Sequence, residues 1–209
     1  MALTFPYPLS FLSRWLEPSQ VTFALTRNDE MSGGGDGRYW AAQLASPIWR
    51  VNMVLRARYP EEGWAIDAKI DALNGSARAF LFSDPCYAPP VDPGGSVVVE
   101  AIGEDRTALA FAGLPAGFML RVGMRLSIAW GADRQYLATI SEEVTANSEG
   151  VTGLCSVMPY LPFGIGVGAT VEMVEPVLKV IIPPGGHNPF TFYAGNYMAG
   201  GTLSLIQKV

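Results

Sequence analysis

The chain is predicted to be mainly β: a β-sandwich with one packed α-helix, plus an inserted small antiparallel β-barrel domain. Three features support this. Short apolar runs recur between Gly, Pro and Asn turn signals through the middle of the 209 residues. Only residues 60–73 combine helical periodicity with start and stop signals. Two Pro/Gly-rich hinges, at 88–95 and 183–186, separate the middle from the ends. The expected organisation is therefore residues 1–92 together with 183–209 as the sandwich, and 93–182 as the barrel-like insertion.

From the N-terminus, residues 1–18 form an aromatic, Pro-rich arm with Phe5, Tyr7, Phe11 and Trp15. A strand is expected at 21–25, then a polar, Gly-rich loop at 28–37 and a short apolar run at 39–44. Residues 49–55 alternate Trp49, Val51, Met53 and Leu55 against Arg50 and Asn52, the period of a half-buried strand. Pro60 suits a first helical position, where an N–H has no partner anyway. Glu61 and Glu62 follow where the helix dipole favours carboxylates. Ile66, Ile70 and Leu73, with Trp64 and Ala68 alongside, predict one apolar face, and Asp67, Lys69 and Asp71 are placed off it. Asn74-Gly75 is the stop, since both tolerate left-handed backbone. A strand at 79–82 then ends at Asp84-Pro85. The insertion carries expected strands at 97–101, 108–112, 126–130, 135–140, 151–157, 170–174 and 178–182, with turns at 131–133 and 147–150. Runs at 190–193 and 201–209 are expected to return to the first domain's sheet.

Composition excludes some function classes. A net charge of −5 with no Lys/Arg cluster argues against gripping nucleic-acid phosphates. Only 16% of residues are charged and mean hydropathy is +0.22, which predicts an apolar surface that copies of the chain bury against one another. Cys86 and Cys155 fit neither a metal spacing nor a disulfide framework, and a reducing compartment during folding is expected. No signal peptide is expected. Residues 151–171 lack charge, but Pro159, Pro162, Gly164, Gly166 and Gly168 break the run, so no membrane span is predicted.

The residues that could carry chemistry have plainer explanations. His187 is the only histidine, in a Gly-Gly-His-Asn-Pro loop with no ligand cluster beside it in sequence. Glu61-Glu62 belongs to a helix start, Asp67/Asp71 to a solvated helix face, and Glu142-Glu143 to a strand end. Residues 33–37, Gly-Gly-Gly-Asp-Gly, lack the Lys-Ser/Thr of a phosphate loop. The glycines at 164, 166 and 168 lead into a strand, where a dinucleotide motif opens a helix. Of Trp15, Trp40, Trp49, Trp64 and Trp130, Trp49 and Trp64 are read as core. No catalytic, cofactor-binding or metal-ligating residue is assigned, no cofactor is expected, and the chain is not read as an enzyme.

The order of certain motifs carries a resemblance. Trp49 with its strand precedes Ala72-Leu73-Asn74-Gly75, then Phe80-Leu81-Phe82-Ser83-Asp84-Pro85 and a Pro/Gly linker. Leu120-Arg121-Val122-Gly123, Asn147 to Gly150, Met158-Pro159-Tyr160-Leu161 and Thr202-Leu203-Ser204-Leu205 follow. This succession resembles the distal-tail or tail-tip structural proteins of long, non-contractile tails, encoded by tailed phages, prophages and gene-transfer particles. Met124 and Pro162 stand where that family carries an acidic and a basic residue. The resemblance implies a virion protein at the tail tip, assembled in the host cytoplasm. It would form a homo-oligomeric, hexameric ring joining the tail tube to the baseplate hub. DNA would pass through its channel, which a mildly acidic lining would keep from sticking, and no membrane insertion is implied. Two other functions fit parts of the sequence. A carbohydrate-binding module would use Trp130, Tyr136 or Tyr160, and a cell-wall hydrolase would use Glu142 or Glu143 with His187.

Overall fold

A computed structural model describes residues 5–89 and 91–209, so the first four residues of the arm and Pro90 of the linker lie outside the description. In chain order the elements are β1 (Pro18–Gly33), β2 (Tyr39–Leu55), α1 (Pro60–Asp71), β3 (Phe80–Ser83), β4 (Val97–Ile102), β5 (Ala108–Ala112) and β6 (Met119–Leu120). Then follow β7 (Arg125–Trp130), β8 (Arg134–Ile140), β9 (Val144–Thr145), β10 (Cys155–Met158), β11 (Thr170–Val171) and β12 (Val177–Ile181). The chain closes with β13 (His187–Asn188), β14 (Thr191–Tyr193), β15 (Tyr197–Ala199) and β16 (Thr202–Gln207). The fold is mainly β, with one α-helix among the described residues.

Two compact units result. A sheet unit takes Glu17–Ala77 and Ile181–Lys208; a barrel unit takes the arm up to Leu16, Arg78–Val180 and the terminal Val209. Expected cuts at 92/93 and 182/183 thus stand beside observed ones at 16/17, 77/78 and 180/181.

In the sheet unit, β2 pairs antiparallel with β1 on one side and β16 on the other, with Val51 opposite Leu205 and Met53 opposite Leu203. Trp49, Val51, Met53, Leu55, Leu203 and Leu205 are all buried, the period of two seen in the sequence. Helix α1 starts at Pro60 and stops where Asn74 and Gly75 take φ of 53° and 63°. It buries Pro60, Gly63, Ile66 and Ile70, followed by Leu73. Gly63 allows close approach: a Cβ there would lie 2.7 Å from the Met198 sulfur on β15.

Two expectations for this unit need correction. Trp64 is 59% exposed and Ala68 is exposed, because each sits two residues from a buried position, about 200° around the helix. Asp67, one turn from Gly63, is instead largely buried. The predicted loop at 28–37 is mostly strand: β1 continues to Gly33, β2 already begins at Tyr39, and only 34–38 form the turn.

In the barrel unit, six strands run in the order β11-β4-β5-β10-β8-β7. Ser127 and Glu172 exchange both backbone hydrogen bonds at 2.8 Å, joining β7 to the end of β11 and closing the ring of strands. β10 manages the closure by pairing its first half with β5 and its second with β8. Val99, Leu109, Phe111, Leu126, Ile128, Ala138, Ile140 and Cys155 fill the interior. The strand expected at 151–157 begins only at Cys155, and Thr152 instead exchanges hydrogen bonds of 2.9 Å with the Phe111 backbone. The strand expected at 178–182 is β12, which pairs with β3, Val180 opposite Phe80. Tyr7, Leu12 and Leu16 of the arm are buried, and the Tyr7 carbonyl accepts from the Leu81 N–H at 2.8 Å. The Asp-Pro stop has a second use: the Asp84 carboxylate accepts from the Arg125 guanidinium at 2.6 Å, with both side chains mostly buried. The Tyr87 hydroxyl accepts the Arg125 N–H at 2.9 Å.

Candidate interaction surface

From 27 to 46 every residue of the β1–β2 hairpin is exposed, whereas Trp49, Val51 and Met53 at its base are core. Register shifts at Thr26/Asn28 and Asn28/Asp29 mark the transition, and such bulges bend a ribbon and raise its twist. Beyond them pairing is regular to Gly33 opposite Tyr39. Asp29, Met31 and Gly33 share a face with Gln43, Ala41 and Tyr39; Glu30 and Ser32 share the other with Ala42 and Trp40.

Met31, Tyr39, Trp40 and Leu44 are 68%, 74%, 72% and 62% exposed. Among the described residues β1 pairs with β2 alone, and β16 reaches β2 only up to Arg50. The distal ribbon is therefore two strands wide with both edges open. A lone hairpin is marginally stable in water, and an open edge is a template for another strand. The ion pairs on it, Arg27–Asp29 at 3.8 Å and Arg38–Asp36 at 3.6 Å, are local and exposed, so they add little.

The aromatic side chains suggested for sugar stacking have different surroundings. The Trp130 ring has the Arg134 guanidinium 4.7 Å from its centroid, and Gly164 lies so close that a Cβ there would be 2.3 Å from the ring. Tyr136 is buried and donates its hydroxyl to the Pro159 carbonyl, and burial raises its pKa. Tyr160 alone of the three is exposed.

The hydrolase candidates fall in different units: Glu142 and Glu143 in the barrel unit, His187 in the sheet unit. Glu142 accepts from the Ser156 hydroxyl at 3.0 Å on an exposed face. His187 does have a carboxylate beside it, which its sequence neighbours do not reveal. Its Nε2 lies 3.2 Å from an Asp67 oxygen, with both side chains largely buried. Burial raises the Asp67 carboxyl above its ordinary range, an effect partly opposed by the attraction of His187 and the Phe190 backbone. Among the described residues the buried His187 Nε2 has no hydrogen-bond partner. The pair sets the side chain of α1's Asp67 beside that of β13's His187. Among the described residues, no three His, Cys, Asp or Glu side chains group as metal ligands. The Cys155 thiol lies in the barrel core, where burial pushes its pKa up to about 12, leaving it inert. The sequence matches no protein-family model and no curated protein.

Proposed function

We propose that the protein is a non-enzymatic, ring-forming component of a phage tail tip, an adaptor between tail tube and baseplate hub around the DNA channel. The observation that carries this reading is the distal β1–β2 ribbon. It exposes four large apolar side chains and two open edges, and equivalent ribbons from neighbouring copies would cover both. Head-to-tail pairing of one copy's β1 edge with the next copy's free β2 edge is a heterologous contact, which closes into a ring when the rotation per subunit divides a full turn. Six copies are what the motif resemblance implies. The low charge content has the same cause, since ring interfaces remove apolar surface from water. A net charge of −5 suits a conduit that must not hold phosphate.

Native mass measurement tests the assembly, and the expected species has six times the 22.4 kDa chain mass. Imaging of particles with antibody against the chain tests the location, with label expected at the tail tip. A strictly monomeric protein, or one absent from tails, overturns the proposal. The carbohydrate-binding alternative through the barrel loses Tyr136 to the core, and Trp130 is already in contact with Arg134 and Gly164.

A further inference from the structure

Two hollows of about 390 and 400 Å³ adjoin in the sheet unit, sharing Tyr59 and Glu62 as a common wall. Trp64 and Glu61 line the first; Glu17 and Tyr197 line the second. Tyr59, Trp64 and Tyr197 are all substantially exposed, and Tyr193 stacks on Tyr197 at 5.2 Å, fixing that ring. The sequence put Trp64 in the core; its actual place leaves a large aromatic face in water beside carboxylates. The helix dipole accounts for Glu61 and Glu62 but not for Glu17, which lies on the strand side. Among the described residues lining the hollows the one cation is Arg58, whose guanidinium lies 5.6 Å from the Phe190 ring centroid.

We infer that these paired hollows bind a polypeptide segment carrying two basic side chains, one in each hollow. Aromatic faces present negative charge density to a guanidinium or ammonium, and three carboxylates around them add direct attraction. A neutral saccharide could stack on the same rings, but it would make no use of the three carboxylates around them. Charge complementarity thus favours the basic segment, and the hollows are of the size that ligand sites take. The inference is independent of ring formation.

The test is titration of the full chain with fluorescein-labelled tetra-arginine amide at low and high salt, read by polarisation. Saturable binding is expected, weakened by salt. It should fall at least tenfold in Glu61→Gln/Glu62→Gln and in Tyr59→Ala, all exposed positions, and stay unchanged in Glu149→Gln on the barrel unit. Equal loss in Glu149→Gln would mean bulk charge only and overturns the inference. So does binding that survives the double Gln variant. Saturable binding of a chitin or maltose oligomer that needs Tyr59 but neither glutamate would assign the hollows to a saccharide. Self-association abolished by Tyr59→Ala would assign them to a second copy; either result overturns the inference.

Discussion

Gly150 turns the chain after Asn147 with φ at 76°, and a Cβ there would sit 2.0 Å from the Leu114 carbonyl oxygen. Gly75 also has positive φ, 63°, but nothing lies within 4 Å of its would-be Cβ. The two positions separate backbone strain from collision. Gly75→Ala should cost about 1 kcal/mol, the strain alone, while Gly150→Ala should cost roughly 2–4 kcal/mol because a backbone carbonyl cannot swing aside. Thermal melts followed by circular dichroism would rank them. Asp67 gives a pH-dependent case. Because burial raises its carboxyl above the ordinary 3.8, the folded chain holds that proton to a higher pH than the unfolded chain does. Between the two values the folded state binds more protons, so raising the pH lowers stability. Asp67→Asn removes the titration. The variant should therefore gain stability relative to the parent as pH climbs from below 3.8 through the folded-state value, and melting midpoints of both proteins across that interval would show it. A constant difference would mean that the carboxyl is not perturbed.

The distal hairpin makes its own prediction. Trp40 and Met31 point from opposite faces of a ribbon whose residues are all exposed, so replacing them with Ser should leave the unfolding free energy almost unchanged, within about 0.5 kcal/mol. If the ribbon is the seam between copies, the same double variant should shift the native mass toward the single chain. Loss of stability without loss of assembly would contradict that. The hairpin was also the least legible element. Strand alternation is visible only when one face is buried, as in β2 from Trp49 to Leu55 or at the start of β4. From 27 to 46 neither face is, and Asn28, Asp29, Glu30 and the glycines have turn-like propensities. The Tyr39-Trp40 pair was the one local sign of strand. In α1 the caps were readable because Pro60 and Asn74-Gly75 act locally. Trp64 is apolar like its neighbours, but 100° per residue puts it opposite the buried Ile66. The Asp67–His187 pair joins residues far apart in sequence, so no local pattern could announce it.

At the scale of the whole chain, the two units differ in how they close. Every residue of the barrel core lies between Val97 and Met173, and β7 meets β8 through a three-residue turn, 131–133. The sheet unit instead sets Val51 opposite Leu205, across roughly 150 residues, so its pairing needs a long loop closed first. Ending the chain at Gly200 therefore has unequal consequences. The sheet unit would lose Leu203 and Leu205, and β2 would lose the strand on one side, leaving a bare hairpin of marginal stability. The barrel unit would keep its whole core and the β3–β12 pair. Hydrogen exchange on the truncated chain should show amides of Ile128 and Leu137 still protected, while those of Val51 and Met53 exchange on the order of a hundredfold faster. Because the distal ribbon grows from β2, the same truncation should also abolish assembly while the barrel stays folded. If protection vanished everywhere together, the units would be one cooperative body, and assembly could not be assigned to either.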